Sequence, residues 1–297
     1  DKVWDGRLKF REFMIGRFAR IYPLHILTVL LSIPLIADAV MAKPVQYGAV
    51  FVLHLFLLHS LVPIEPVYFN FNTPSWSISD EWFFYMLTPV LLLLLGRFSR
   101  KWSIVGIAAV LALFIFTMMR VTDATWAHAL FYINPVFRLF DFALGILLFL
   151  FWRTTKDFAW SDSSSTILQV AALCIFTLSF IGHDRIGQVY RYSIYYWPSM
   201  VLIIYAFSLD RGLFARQLEN KILVYLGEIS FGFYLYHQLI FRYFFAAKRN
   251  FGIAISDTAT IAILFASTLI VSMISFRYFE KPMNRILKLR FSKKTTV

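Results

Sequence analysis

Arg17-Phe18-Ala19-Arg20-Ile21-Tyr22-Pro23 leads straight into a long apolar run, and how this junction is read decides the fold. On a helix, two arginines three residues apart share one face, about one turn apart. Pro23 falls where a new helix can begin without losing a needed donor. Fixed positive charge followed by some 20 apolar residues is the pattern of a membrane span that starts on the cytoplasmic side. The same guanidiniums can also hold lipid head groups, or the phosphates of a soluble ligand, bidentately. A topology signal and an anion site both remain open at this point.

Composition settles the class. Hydrophobic residues make up 59% of the 297 and charged residues only 15%, far from the balance of a soluble domain. The sequence therefore predicts an all-α, polytopic transmembrane helix bundle. A formal net charge of +12 would point to nucleic acid in a soluble protein. Here the cations gather between apolar runs and at the two ends, so orientation in the bilayer accounts for them and no nucleic-acid partner is expected. The single cysteine, Cys174, excludes a disulfide framework and a cysteine-based metal cluster. Residue 1 is Asp, with no signal peptide visible, so the chain reads as part of a longer one or one trimmed at its start.

Nine apolar runs are long enough to consider as spans: 21–41, 46–62, 82–96, 103–119, 129–152, 166–182, 194–209, 222–245 and 258–279. The polar stretch Ser161–Ser165 reads as a loop leading to a helix N-cap. Lys2, Arg7, Lys9, Arg11, Arg17 and Arg20 at one end, and Lys281, Arg285, Lys288, Arg290, Lys293 and Lys294 at the other, place both ends in the cytoplasm. The number of crossings is then even. The loop 63–79 lacks Lys and Arg and reads as external, while Arg97, Arg100 and Lys101 read as cytoplasmic. Both assignments hold if 46–62, which carries His54 and His59, is a re-entrant or cavity-lining segment. Eight spans follow. The organisation expected is one domain over 1–297: a basic segment 1–20, a bundle 21–279 and a basic tail 280–297.

Polar residues inside apolar helices mark the candidate chemistry, because a charge at mid-bilayer costs roughly 2.5–3.5 kcal/mol. In Asn72–Tyr85, Ser79 reads as a helix cap, with Asp80 and Glu81 favoured by the helix dipole. Alternatively, Glu81 stands at the mouth of a polar cavity and orients a hydroxyl or an imidazole. Arg138 and Asp141, three apart, form an internal salt bridge or line a pathway. In Leu226–His237, Glu228 is a first-turn acid or a buried polar group. His237 is a hydrogen-bonded core residue or a proton carrier, and Gly227 and Gly232 allow close helix approach. Metal binding is not expected, since His54 and His59, five apart, do not share a helical face.

Four motifs occur in order: Arg17-x-x-Arg20-Ile21-Tyr22-Pro23; Pro74-Ser75-Trp76-Ser77-Ile78-x-x-Glu81-Trp82-x-x-Tyr85; Arg138-x-x-Asp141-Phe142-x-x-Gly145; and Leu226-Gly227-x-x-Ser230-x-x-x-Tyr234-Leu235-x-His237. Together they resemble the integral-membrane acyltransferase 3 family, whose members acylate bacterial cell-surface and exported glycans. The resemblance implies an acyl group, usually acetyl from acetyl-CoA, passed from the cytoplasmic side of the bacterial inner membrane to a sugar hydroxyl. It implies that Arg17 and Arg20 bind the acyl-CoA donor and that no cofactor is held permanently. It gives supporting catalytic roles to Glu81 and His237, and places Ser75, Ser77, Arg138, Asp141, Glu228, Ser230 and Tyr234 among the buried polar residues. The family's catalytic histidine lies in a helix upstream of the arginine motif. None of His25, His54, His59, His128, His183 or His237 occupies that position, so this chain alone is expected to lack transferase activity. Two rival readings are a transporter or flippase for a lipid-linked sugar and a non-catalytic scaffold in the membrane lipid.

Overall fold

The structure, a computed structural model, describes residues 10–97, 111–121, 123–158, 160–252 and 254–292. Lys2, Arg7, Lys9, Arg100, Lys101, Lys293, Lys294 and the start of the 103–119 run lie outside the described residues. Among the described residues every regular element is helical, giving an all-α polytopic bundle. Five segments are long and apolar enough to cross a membrane: Phe10–Ala42, Thr73–Leu94, Pro135–Thr155, Asp162–Ile181 and Asp257–Phe291. Each coincides with an expected span. The apolar helices Leu111–Arg120 and Ile194–Phe207 are shorter. Lys221–Asn250 has the length, at 30 residues, but its Glu228, Gln238 and Arg242 dilute its apolar character. Polar side chains are buried while many large apolar ones face outward: Thr28, Ser32, Gln169, Thr268 and Ser272 are buried, whereas Leu30, Ile167, Phe180 and Ile261 are exposed. That arrangement fits lipid as the outer solvent, and the chain is an integral membrane protein.

The chain forms two compact units, 1–86 with 225–297, and 87–224. In the first, helix α1 (Phe10–Ser32) buries Ile21, Leu24, His25, Thr28, Val29 and Ser32, a stripe at helical spacing. Pro23 lies inside α1 rather than at its start, so helix precedes the expected boundary at residue 21 and takes in part of the basic segment. An interior proline costs about 3 kcal/mol, and the buried stripe running unbroken across it opposes that penalty. Helix α2 (Pro44–Leu55) stops where Leu57 adopts a left-handed φ of 55°, and a short 3-10 turn, His59–Leu61, follows. The 46–62 run is therefore a broken helix. Helix α3 (Trp76–Arg97) begins three residues before Ser79. Ser79 does not cap it: its hydroxyl donates to the Leu57 carbonyl at 2.6 Å and accepts from Ser60 at 2.7 Å, holding the strained turn in place.

In the second unit, the rest of α3 is followed by helices α4 (Leu111–Arg120), α5 (Pro135–Thr155), α6 (Asp162–Ile181) and α7 (Trp197–Phe207). Ser161 is the N-cap of α6 and forms a capping box with Ser164, so Asp162–Ser165, expected as loop, is already helical. Helices α6 and α7 pack together, with the fully buried Ala172 and Ala206 among their small residues. Back in the first unit, helix α8 (Lys221–Asn250) contributes residues from Tyr225 onward, followed by α9 (Asp257–Ser275), a π-turn at Phe276–Glu280 and α10 (Lys281–Ser292). Helix α10 packs along α1. Arg11 donates to the Phe291 carbonyl at 3.3 Å, which ties the start of α1 to the end of α10 and sets the pair antiparallel.

Candidate functional site

The first unit holds a cavity of about 470 Å³ lined by Arg17 and Arg20 of α1, Glu228 and Phe231 of α8, Glu280 of the π-turn, and Lys281, Arg285 and Lys288 of α10, with Glu12 at its edge. Five cations against three carboxylates give it a net positive lining. Arg17 is held in place by aromatic faces: its guanidinium carbon lies 5.0 Å from the Tyr85 ring centroid and 5.2 Å from that of Phe13. The Tyr85 hydroxyl donates to the Glu81 carboxylate one turn earlier on α3. Glu81 thus braces the tyrosine on which Arg17 rests, and the structure brings together three of the residues singled out in the sequence.

Glu280 was not singled out in the sequence. It is half-buried, accepts from Ser275 at 3.1 Å, and is reached through Ser275 by the Tyr236 hydroxyl, also at 3.1 Å. Gly232 makes room for it, since a Cβ there would stand 2.9 Å from the Glu280 Oε1. Close approach at Gly232 is therefore real, whereas a Cβ at Gly227 would meet nothing within 4 Å. The available signal was an acid directly after the aromatic-rich stretch Phe276–Phe279 at the end of an apolar span. The π-turn there is the local irregularity that often accompanies functional positions.

Several residues read as buried are not. The inward stripe of α8 is Ile229, Gly232, Leu235, Tyr236 and Leu239. Glu228, Ser230 and Tyr234 fall between these positions and are exposed. Glu228 meets Lys281 at 3.7 Å, and the Ser230 hydroxyl bonds back to the Gly227 carbonyl. Tyr234 reaches across to Ser77, whose hydroxyl lies 3.2 Å from the phenol and also donates to the Pro74 carbonyl. His237 is half-buried beside this pair, with its Nδ1 2.5 Å from the Tyr234 carbonyl and its ring 5.9 Å from that of Phe241. It does not line the cavity. Nine residues beyond Glu228, it stands roughly 13 Å further along the helix axis.

A second buried polar cluster emerged only from the fold. His25, His54 and His59 are each fully buried. The His54 and His59 rings stack 3.7 Å apart, and the ring of His25 lies nearly parallel to both. Five apart on a straight helix they would diverge, but the turn at Leu57 folds one back onto the other. His25 Nε2 donates to the His54 carbonyl at 2.9 Å, and His59 Nε2 lies 3.3 Å from the hydroxyl of Ser75, which is fully buried as expected. Among the described residues, the Nδ1 atoms of His25 and His54 find no hydrogen-bond partner. Face-to-face rings turn their π-faces, not their nitrogens, toward one another. Among the described residues, no three His, Cys, Asp or Glu side chains are arranged to hold a metal ion. Ile21 and Leu24, between the arginines and His25 on α1, join Leu57, Ile78, Leu235 and Tyr236 in an apolar cluster.

In the second unit, Arg138 and Asp141 are half-buried and form the internal salt bridge, at 2.8 Å. Arg138 also donates to the Tyr192 carbonyl at 2.8 Å, and Asp141 accepts from Ser193 at 2.8 Å and from the Trp197 indole. This is a bracket between α5 and the corner leading into α7, in which Asp141 meets Arg138 through Oδ2 and Ser193 and Trp197 through Oδ1.

Among the described residues the chain is a helical membrane bundle with a cation-lined cavity beside an Arg-x-x-Arg pair. A family profile described as "Acyltransferase domain" (acyltransferase 3) matches residues 4–277. The chain belongs to this acyltransferase 3 family. Acyltransferase MdmB of Streptomyces mycarofaciens is 30% identical over 258 residues, covering 81% of this chain and 65% of that protein. ORF330 of Acidianus two-tailed virus is 24% identical over 238 residues, covering 80% and 67% of the two chains. SACOL0978 of Staphylococcus aureus strain COL is 23% identical over 230 residues, covering 71% and 36%. The chain thus spans about two thirds or less of the length of these curated relatives. No solved structure matches it.

Proposed function

We propose that this chain carries the donor-binding portion of a membrane O-acyltransferase, which moves an acyl group from acyl-CoA in the cytoplasm to a hydroxyl of a cell-surface or exported glycan. The observation that carries the reading is the cavity: Arg17 and Arg20, whose spacing on α1 suits phosphate, open into a cation-lined space of about 470 Å³. Acetyl is the acyl group we favour, because the Acidianus virus and staphylococcal relatives bear the names acetyltransferase and O-acetyltransferase. The membrane is the bacterial inner membrane, with both ends of the chain on the donor side.

In this reaction the acceptor hydroxyl oxygen attacks the thioester carbonyl and the new C–O bond forms. The C–S bond breaks, the sulfur leaves as the CoA thiolate, and the hydroxyl proton passes to a general base. Arg17 and Arg20 hold donor phosphates. Tyr85, braced by Glu81, keeps the Arg17 guanidinium on an aromatic face, so little rotamer freedom remains to be lost when phosphate arrives. The pantetheine arm carries the thioester well away from the phosphates. A proton-handling group is therefore sought further along the bundle, where His237 stands beside Tyr234 and Ser77. We give His237 a supporting role in proton handling and leave the principal base unassigned.

Titration of acetyl-CoA into the purified chain in lipid nanodiscs tests the reading. Arg17→Ala and Arg20→Ala should each weaken binding about tenfold or more, the scale of one lost charge-assisted contact. Unchanged affinity in both variants would remove the pair from the donor site.

A further inference from the structure

We propose that Lys281, Arg285 and Lys288 of α10 are phosphate-binding residues of the same cavity, so that the two ends of the chain together form one site for a multiply phosphorylated ligand. The ligand's identity as acyl-CoA rests on the functional reading above. The placement of the cations rests on geometry alone.

Positions 281, 285 and 288 fall on one helical face, and all three line the same cavity as Arg17 and Arg20. The antiparallel packing of α1 on α10, tied by Arg11 and the Phe291 carbonyl, brings the two sets of cations to one site. Lys281 is fixed further by Glu228 at 3.7 Å and by the Phe276 ring, whose centroid is 4.3 Å from its nitrogen. Five cations around one cavity suit a ligand with phosphates at more than one position, since a lone phosphate could engage only some of them. The volume falls within the range of small-molecule sites, about 300–1,000 Å³.

A basic C-terminal helix would ordinarily be read as a topology signal or a headgroup anchor. On α10 the half-exposed Ile286 and Leu289 occupy the neighbouring stripe and suit the lipid interface. Lys281, Arg285 and Lys288 line the cavity while remaining exposed, which leaves them open to a ligand there. Two sources share the required chemistry: a soluble phosphorylated donor and an anionic lipid headgroup.

The test uses the full chain in nanodiscs, made either of phosphatidylcholine alone or with added phosphatidylglycerol. Coenzyme A and dephospho-coenzyme A are titrated into the wild type, into K281A/R285A/K288A, and into R277A/R290A, whose positions do not line the cavity. The triple variant should lose about thirtyfold or more in coenzyme A affinity and lose preference over dephospho-coenzyme A, while the control stays within about twofold. Equal losses in triple variant and control would overturn the proposal. So would a triple variant that binds like the wild type, and the donor reading would then survive alone. If the wild type binds no coenzyme A in either nanodisc, the donor reading fails, and retention of phosphatidylglycerol by native mass spectrometry decides the source. Loss of lipid in the triple variant only would keep the phosphate site, and equal retention in all three proteins would end it. Arg285→Gln alone, expected to weaken binding about fivefold, carries the same test should the triple variant misfold.

Discussion

Replacing Gly232 by alanine sets two effects of opposite sign against each other beside Glu280, which lines the cavity. Alanine is favoured over glycine in a helix interior by about 1 kcal/mol, and α8 is helical throughout Lys221–Asn250. The new methyl, however, would stand 2.9 Å from the Glu280 Oε1, nearer than carbon and oxygen can rest, with the Ser272 Cβ at an ordinary 3.7 Å. Only the carboxylate has to move, and it is the far end of a flexible side chain. Its retreat sacrifices the 3.1 Å hydrogen bond from Ser275, which is worth about 1.5–3 kcal/mol for a charged acceptor. Gly232→Ala should therefore be destabilising by about 1 kcal/mol net. In a Glu280→Ala background the clash is gone, and the same substitution should be stabilising by about 1 kcal/mol. Apparent melting temperatures of the four proteins of this double-mutant cycle in one detergent would read the result as a fall of about 2–4 °C against a rise of similar size. The same change in both backgrounds would refute the close approach of α8 to Glu280.

Two further outcomes follow from the same geometry. Glu12→Gln removes a carboxylate from the edge of the cavity and should tighten acyl-CoA binding about twofold to threefold in low salt, an advantage that disappears near 1 M salt as screening sets in. Titrations at the two salt concentrations check it, and weaker binding in low salt would contradict the electrostatic picture. Asp141→Ala strips the partners from Ser193, Trp197 and Arg138 together and should lower stability by about 2–3 kcal/mol, whereas Asp141→Asn, which keeps an acceptor oxygen, should lose less. Hydrogen exchange in the 135–200 region would locate the loosening, and exchange unchanged in both variants would show that the bracket carries no load.

Much of the architecture was legible because it depends on one-dimensional patterns. Apolar run length gave five of the spans, and Ser161 to Ser165 gave a helix cap, since both follow from a residue's immediate neighbours. The boundaries that failed are those where tertiary contacts override local preference. Pro23 continues a helix that packing holds together on both sides of it. Ser79, a good capping residue by type, is drawn instead to the Leu57 carbonyl by a turn that no local signal announces. On α8, Glu228, Ser230 and Tyr234 were expected inside, whereas the helical phase of Ile229, Leu235 and Leu239 turns them outward.

The site divides in the same way. Sequence alone determined the membrane class, the family resemblance and the placing of Arg17 and Arg20 on one helical face, because charge and spacing on one helix are local properties. Only the tertiary structure joined those arginines to Lys281, Arg285 and Lys288, some 260 residues further along the chain. It alone folded His54 onto His59, and it alone set Glu280 against Gly232. The physical reason is common to all three: each depends on how two distant segments pack, and side-chain periodicity specifies a helix's buried face without specifying which helix will cover it.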